Sequence, residues 1–316
     1  MNILVTGGLG TVGAGLVKEF RHRGHHVVSL DLAHQHDEMG FTLRSDVENP
    51  GYARCDIGEF RQLERVFDRL GPFDYVYNAA AEFGRWNGED FYETLWHTNA
   101  VGTKNVIRLQ EKLGFRLIHF SSSEVYGDWP NLMVESVMDE YEIKQMNDYA
   151  MTKWVNEMQI RNSAMQFHTE SVVVRLFNTY GPGEYYSPYR SVNCRFLYCA
   201  LHSLPFVVFR NHYRTSTYLA DTVNTLANIV DCFKPGETYN IGGSDYHSIE
   251  DLADVTLRVT GANAGLVQYR ESEILTTKIK RVDISKAKRD LGHRNSHSLE
   301  EGVALTVDWM RRVYNL

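Results

Sequence analysis

Cysteine, long apolar runs and surplus positive charge are all scarce in this chain, and each scarcity narrows what it can be. Only four cysteines occur, Cys55, Cys194, Cys199 and Cys232, with neither C-x-x-C spacing nor an evident pairing. That excludes a disulfide scaffold and reads as reduced, mostly packed thiols in a cytoplasmic protein. No apolar run approaches the roughly 20 residues that span a bilayer. A strand pattern begins at Asn2, which leaves no room for a cleavable leader, so no membrane association is expected. The formal net charge is −7, which gives no electrostatic reason to expect nucleic acid as a partner. His22, His25, His26, His34 and His36 crowd one stretch but straddle a helix end, a strand and a loop without H-E-x-x-H geometry. They read as solvated surface histidines, and no metal site is expected. No repeat, low-complexity tract or linker divides the 316 residues.

What is present starts at once. Asn2-Ile-Leu-Val-Thr-Gly7-Gly8-Leu9-Gly10-Thr11-Val12-Gly13 reads as a buried strand, a glycine-rich turn and the start of a helix. Gly7, Gly10 and Gly13 at three-residue spacing let the backbone turn tightly, let a pyrophosphate approach the amides at the positive helix end, and let that helix pack close to the sheet. Leu16, Val17 and Phe20 supply the apolar stripe of the helix, and a second apolar run, His26 to Leu30, ends at Asp31. That acid falls where a carboxylate meets the ribose hydroxyls of an adenosine, and it would repel a 2′-phosphate. The expected cofactor is therefore NAD rather than NADP.

Strands alternate with helices through the first half, as in a doubly wound parallel sheet covered on both faces. The patterns predict strands at 2–6, 26–30, 51–54, 74–78, 116–121 and 171–177, and helices near 11–23, 59–70, 90–113 and 147–167. Asp56-Ile57 ends the third strand and Asn78-Ala79-Ala80-Ala81 the fourth, where small residues would let a cofactor lie against the backbone. After Phe177 a turn-rich, tyrosine-rich segment leaves the sheet. Helices at 193–203, 219–231, 248–260, 284–291 and 298–313, with strands at 206–209 and 237–241, follow. The fold class is thus α/β, a doubly wound Rossmann domain over 1–177, with 215–235 returning to it, and a smaller α/β lobe made mainly by 178–316. A cleft is expected between the two.

Two segments carry the chemistry. Tyr149-Ala-Met-Thr-Lys153 sets a phenol and an ammonium one helical turn apart on one face, where the cation would favour the phenolate and ready it to take an alcohol proton. Ser121-Ser122-Ser123-Glu124-Val-Tyr-Gly127 ends the fifth strand, where hydroxyls can bond a substrate alcohol or, equally, cap the strand.

Together these pieces resemble the extended short-chain dehydrogenase/reductase family, in its branch of nucleotide-sugar epimerases, dehydratases and decarboxylases. The resemblance covers nearly the whole chain, adding Asn99-Ala-Val-Gly102-Thr103, Arg175-Leu-Phe-Asn178-Thr-Tyr180-Gly-Pro182, Arg214-Thr-Ser-Thr-Tyr218 with Asp221, and Asp283-Ile-Ser-Lys-Ala-Lys. By that resemblance Tyr149 is the base for the sugar 4-hydroxyl, Lys153 lowers its pKa and holds the nicotinamide ribose, and Ser122 bonds the reacting oxygen. Gly7, Gly10, Thr11, Val12 and Gly13 would line the pyrophosphate and Asp31 the ribose. Asp56 and Ile57 would meet the adenine, with Ala79, Ala80, Ala81 and Asn99 completing the NAD site. Asn178 and Arg214 match positions that hold the nucleotide diphosphate, while Tyr185, Tyr186, Tyr189 and Arg190 are candidates for the sugar or base. The resemblance also implies a nucleotide-diphosphate sugar as substrate and a homodimer.

Oxidation at C4 acidifies C5 and turns a C6 carboxylate into a β-keto acid, so one intermediate can be epimerised, dehydrated or decarboxylated. Glu124 bears on the choice: epimerases of the family usually carry a small or neutral residue before Val-Tyr-Gly, whereas dehydratases and decarboxylases carry glutamate. Dehydration is the favoured expectation, because a carboxylate beside C5 can move a proton there. Ser123 stands where one dehydratase subgroup has an aspartate acid and another a serine, and the segment around Tyr149 lacks the pattern of UDP-glucuronate decarboxylases, so all three outcomes stay open; a net sugar 4-dehydrogenase and a non-catalytic NAD-binding sensor are the less expected alternatives.

Overall fold

The computed structural model describes residues 1–34 and 51–316. His36 of the histidine-rich stretch lies outside the described residues. The apolar runs become the strands of one parallel sheet. β1 (Asn2–Thr6), β2 (His26–Asp31), β3 (Tyr52–Arg54), β4 (Tyr75–Asn78), β5 (Arg116–Ser122) and β6 (Ser171–Leu176) are joined by a seventh strand, Thr238–Ile241. The spatial order is Thr238–Ile241, β6, β5, β4, β1, β2, β3, and every neighbouring pair is parallel. Chain direction across the sheet reverses between β1 and β4, and a crevice opens at such a switch point above the carboxyl ends of the strands.

Both sheet faces are covered, which is why β1, β4 and β5 are apolar without alternation. On one face, Leu16 and Phe20 of the helix Thr11–His22 pack with Val223 and Leu226 of Leu219–Ala227 and with Leu291 of Ser285–Leu291. On the other, Leu63 and Phe67 of Phe60–Leu70 pack with Val106 and Leu109 of Thr103–Leu113 and with Ile160 of Asp148–Phe167. A separate core forms from Leu197, Leu252, Val303 and Met310 on the helices Val192–Leu201, Ile249–Thr260 and Leu299–Tyr314. The strands Phe206–Phe209 and Val267–Arg270 pair in parallel beside it. Both Ser248 and Ser298 open their helices with a full capping box. Among the described residues no helix is long and apolar enough to cross a membrane.

The short strands Tyr213–Thr215, Tyr246–Ser248 and Val267–Arg270 are not expected from the sequence, and one predicted helix is broken. The single helix predicted over 90–113 is four pieces: Arg85–Asp90, Tyr92–Trp96, a π-helical stretch His97–Gly102, and Thr103–Leu113. Gly102 explains part of the widening, because a Cβ there would stand 2.7 Å from Ile57 Cγ1, and the wider turn lets the backbones pack that closely.

Candidate active site

Above the switch point lies a cleft of about 780 Å³. Every cofactor and catalytic candidate drawn from the sequence lines it except Asn99, and so do the diphosphate candidates Asn178 and Arg214. Of the four sugar or base candidates, Tyr189 and Arg190 line it and Tyr185 and Tyr186 do not. Tyr185 packs on Trp309, and Tyr186 stacks on Tyr198 at 3.8 Å, so both tie their loop to the smaller lobe instead.

The glycine turn is built for close approach. Gly7 sits at φ 67°, and a Cβ on it would fall 2.7 Å from the Ala80 nitrogen; one on Gly13 would fall 2.1 Å from the Gly7 oxygen. Ala80 N–H is tied to Thr6 Oγ1 at 3.1 Å, and Thr6 in turn bonds Asn78, so the strand ends of β1 and β4 lock together. Gly10 gives the next helix no side-chain cap and no acid occupies its first turn, leaving amides free toward the cleft as an anionic pyrophosphate requires. The Asp31 carboxylate accepts N–H bonds from Leu9 and Ala33, at 2.9 and 3.1 Å, which aims it over the turn. Asp56 Oδ1 accepts from Gly58 N–H at 2.8 Å. Asn99, expected to meet the cofactor, stands behind this wall: its amide accepts from Glu82 N–H and donates to Glu82 O and Thr152 Oγ1. It holds the wall in place without lining it, because the π-helical stretch turns it into the protein. These features fit NAD.

Tyr149 and Lys153 lie on one face of the helix Asp148–Phe167, whose start is fixed by Asn147 accepting from Ala150 N–H at 2.8 Å. Ser122, at the end of β5, accepts from Glu124 N–H at 3.2 Å and stands by the Tyr149 phenol, whose pKa it works to lower. The expected depression of the Tyr149 pKa by Lys153 is not what the structure holds. Burial pushes the phenol up to about 12, with Ser122 opposing and the Glu124 charge adding to the rise. Lys153 Nζ instead donates to Phe120 O at 2.8 Å and stands 5.8 Å from the phenol ring centre. Burial lowers Lys153 itself to about 8.

Glu124 has a partner that no motif announced. Lys280, buried and distant in sequence, forms an ion pair with Glu124 Oε1 and reaches Ser123 Oγ at 3.4 Å. Burial alone would raise the Glu124 pKa, but the Lys280 ammonium, helped by Arg214 and Arg85, holds it below its ordinary value. Burial brings Lys280 down to about 8 despite that carboxylate. The second Glu124 oxygen, Oε2, is buried and makes no hydrogen bond. Arg214 is no surface arginine: it is 8% exposed and spends its donors on Tyr213 O, Lys278 O and Thr276 Oγ1. Asn178, at φ 41°, donates to Thr215 O at 3.1 Å.

Sequence reasoning missed Arg85, Trp86, Glu273 and Lys280. All four line the cleft, and Arg85 and Trp86 both bond the Glu273 carboxylate. Lys280 lies three residues before the Asp283-Ile-Ser-Lys segment that was noted, and the buried Thr276 and Thr277 upstream were its sole hint.

Comparison with known proteins places the chain. The profile of the NAD dependent epimerase/dehydratase family matches residues 3–242. The chain belongs to that family. It is 27% identical to the UDP-N-acetyl-alpha-D-glucosaminuronate decarboxylase of Bacillus cytotoxicus, over 99% of this chain and 98% of that protein. It is also 27% identical to the dTDP-glucose 4,6-dehydratase of Shigella flexneri, over 98% and 92% of the two. Among solved structures, an epimerase of Methanothermobacter thermautotrophicus superposes with a TM-score of 0.87 at 28% identity, covering 99% of this chain and 93% of the other. The family is one of NAD-dependent enzymes acting on nucleotide sugars, and the relatives divide among decarboxylation, dehydration and epimerisation.

Proposed function

We propose that this chain is a nucleotide-sugar 4,6-dehydratase working through a 4-keto intermediate. The observation that carries the reading is Glu124, held ionised by Lys280 on one oxygen while the other is buried and unpartnered. When bound, NAD supplies an acceptor for the hydride that leaves the sugar and a donor for its return. Tyr149, ionised once the positive charge of the bound cofactor and of Lys153 offsets its burial, takes the proton of the 4-hydroxyl while Ser122 bonds the same oxygen. Glu124 then takes the C5 proton, made acidic by the new carbonyl. The electron pair of that C–H bond forms the C5–C6 double bond as the C6–O bond breaks. Lys280 gives the departing hydroxyl its proton, and the pair returns to its starting charges by proton transfer from Glu124 to Lys280. As the hydride returns to C6, C5 takes a proton from solvent and Tyr149 releases the 4-hydroxyl proton to solvent; C4 is oxidised and C6 reduced, so the whole reaction needs no outside oxidant.

Ser123 favours a second reading, decarboxylation, because it cannot serve as the acid that an aspartate there provides, and because the Bacillus cytotoxicus relative is named a decarboxylase. Dehydration stands first because Lys280 supplies the missing acid from elsewhere. Glu124→Gln tests it. In the dehydratase, C4 oxidation survives and near-ultraviolet absorbance of reduced cofactor builds up on the enzyme, while product formation drops by about 10²–10⁴. Unimpaired turnover with no such absorbance removes the reading.

A further inference from the structure

The cleft sorts its cations by whether a carboxylate already holds them. Near the Glu124 carboxylate two cations are committed, Lys280 to Glu124 and Arg85 to Glu273, while Lys153 beside the phenol donates to Phe120 O. Arg85 and Glu273 are only 12% and 14% exposed, and the Trp86 indole donates to the same Glu273 oxygen at 3.3 Å. By contrast Arg190, Arg195 and Arg214 line the cleft with no ion pair to a carboxylate among the described residues. An anionic diphosphate finds its counter-charge among those three. The sugar meets two ion pairs, Lys280 with Glu124 and Arg85 with Glu273, whose formal charges cancel.

The unspent hydrogen-bonding groups point the same way. Arg85 Nε is a buried donor with no partner, and Glu124 Oε2 is a buried acceptor with none. A hydroxyl, which donates and accepts, satisfies one of each. A carboxylate only accepts, so it would leave Glu124 Oε2 unbonded and facing a like charge, a costly arrangement away from water.

Arg85 is held where it is from both flanks. Its segment starts at Gly84, at φ 89°, where a Cβ would fall 2.8 Å from the Tyr189 oxygen. Arg190 lies over the Phe83 ring at 4.2 Å, Tyr189 OH donates to Asp90 at 2.9 Å, and Glu273 grips the other side. The segment therefore bridges two stretches of the smaller lobe across the sugar end of the cleft.

From this we infer that Glu273 is a specificity-determining residue: by neutralising Arg85 it selects a nucleotide sugar with an uncharged hydroxymethyl C6 and rejects the corresponding uronate. The inference rests on the C4-oxidation reading and narrows its substrate.

The test compares matched ligands on the NAD-bound protein. Glucose and glucuronate carried on UDP, and mannose and mannuronate carried on GDP, are titrated into wild type and Glu273→Gln by calorimetry. Wild type is expected to bind the hexose of the better-bound pair at least about tenfold more tightly than its uronate. Glu273→Gln, which leaves Arg85 unpaired, is expected to shrink or invert that ratio by about tenfold. Arg85→Gln combined with Glu273→Gln removes both charges and is expected to restore the hexose preference even where the single variant folds poorly. Equal or tighter uronate binding by wild type overturns the inference, as does a ratio unmoved by Glu273→Gln. Failure of the wider reading looks different: no nucleotide sugar of either kind binds, which overturns both.

Discussion

The ammonium of Lys280 is paired with the carboxylate of Glu124 across 156 residues of chain, and both groups are withdrawn from water. Glu124 stands one residue past Ser123 at the carboxyl end of the central sheet, whereas Lys280 arrives from the segment between the strand Val267–Arg270 and the helix Ser285–Leu291. In the proposed reaction these are the base and its neighbouring acid, and they meet near the phenol that would begin it.

The pH dependence follows from Lys280. Its pKa is depressed to about 8, so the ammonium persists below that value and is lost above it. If the ammonium protonates the leaving hydroxyl, turnover falls about tenfold per pH unit above roughly pH 8. Lys153, also near 8, titrates in the same range, so the wild-type profile alone does not separate them. Lys280→Arg does, because arginine stays charged: the alkaline limb should move up and the plateau rate should drop. An unchanged limb in that variant assigns the titration to Lys153 and takes the acid role away from Lys280.

Asp31 is proposed to set cofactor choice by charge. Its carboxylate, fixed by the Leu9 and Ala33 amides, lies where it would oppose a 2′-phosphate. Asp31→Asn keeps the size but removes the charge, and the preference for NAD over NADP should fall by about tenfold or more. Titration of both cofactors into stripped protein measures it, and equal discrimination before and after the change contradicts the role.

Gly13 has no room for a methyl group. The added carbon of Gly13→Ala would sit 2.1 Å from the Gly7 carbonyl oxygen, so the turn must shift and the amides facing the cleft shift with it. A stability loss of about 1–3 kcal/mol is expected together with protein that purifies without NAD. Gly24→Ala is a fair control for crowding: it also has positive φ but nothing within 4 Å of its Cβ. Retained NAD in Gly13→Ala would mean that the turn is not the pyrophosphate site.

Much of this was legible in the sequence because local chemistry dictated it. Ile3 to Val5 could only be a buried strand, the glycine spacing demanded a tight turn, and Leu16, Val17 and Phe20 fixed the covered face of the helix. Tyr149 and Lys153 were visible because helical geometry alone puts them together. What escaped depends on tertiary arrangement. Lys280 and Glu273 carry no signature until the fold sets them opposite Glu124 and Arg85. The break in the helix near residue 97 is driven by packing against Ile57, which no helical periodicity encodes. The rise in the Tyr149 pKa has the same origin: spacing gave the nearby cation but not the burial that outweighs it, nor the turn of Lys153 toward Phe120 O.

The most direct test of the central claim is the mass of the product formed in heavy water from nucleotide-linked hexoses. A dehydratase that uses Glu124 at C5 removes that proton and replaces it from solvent, so the product should lose one water and carry deuterium on C5. A product of unchanged mass without deuterium, or one lighter by carbon dioxide from a uronate, contradicts the account.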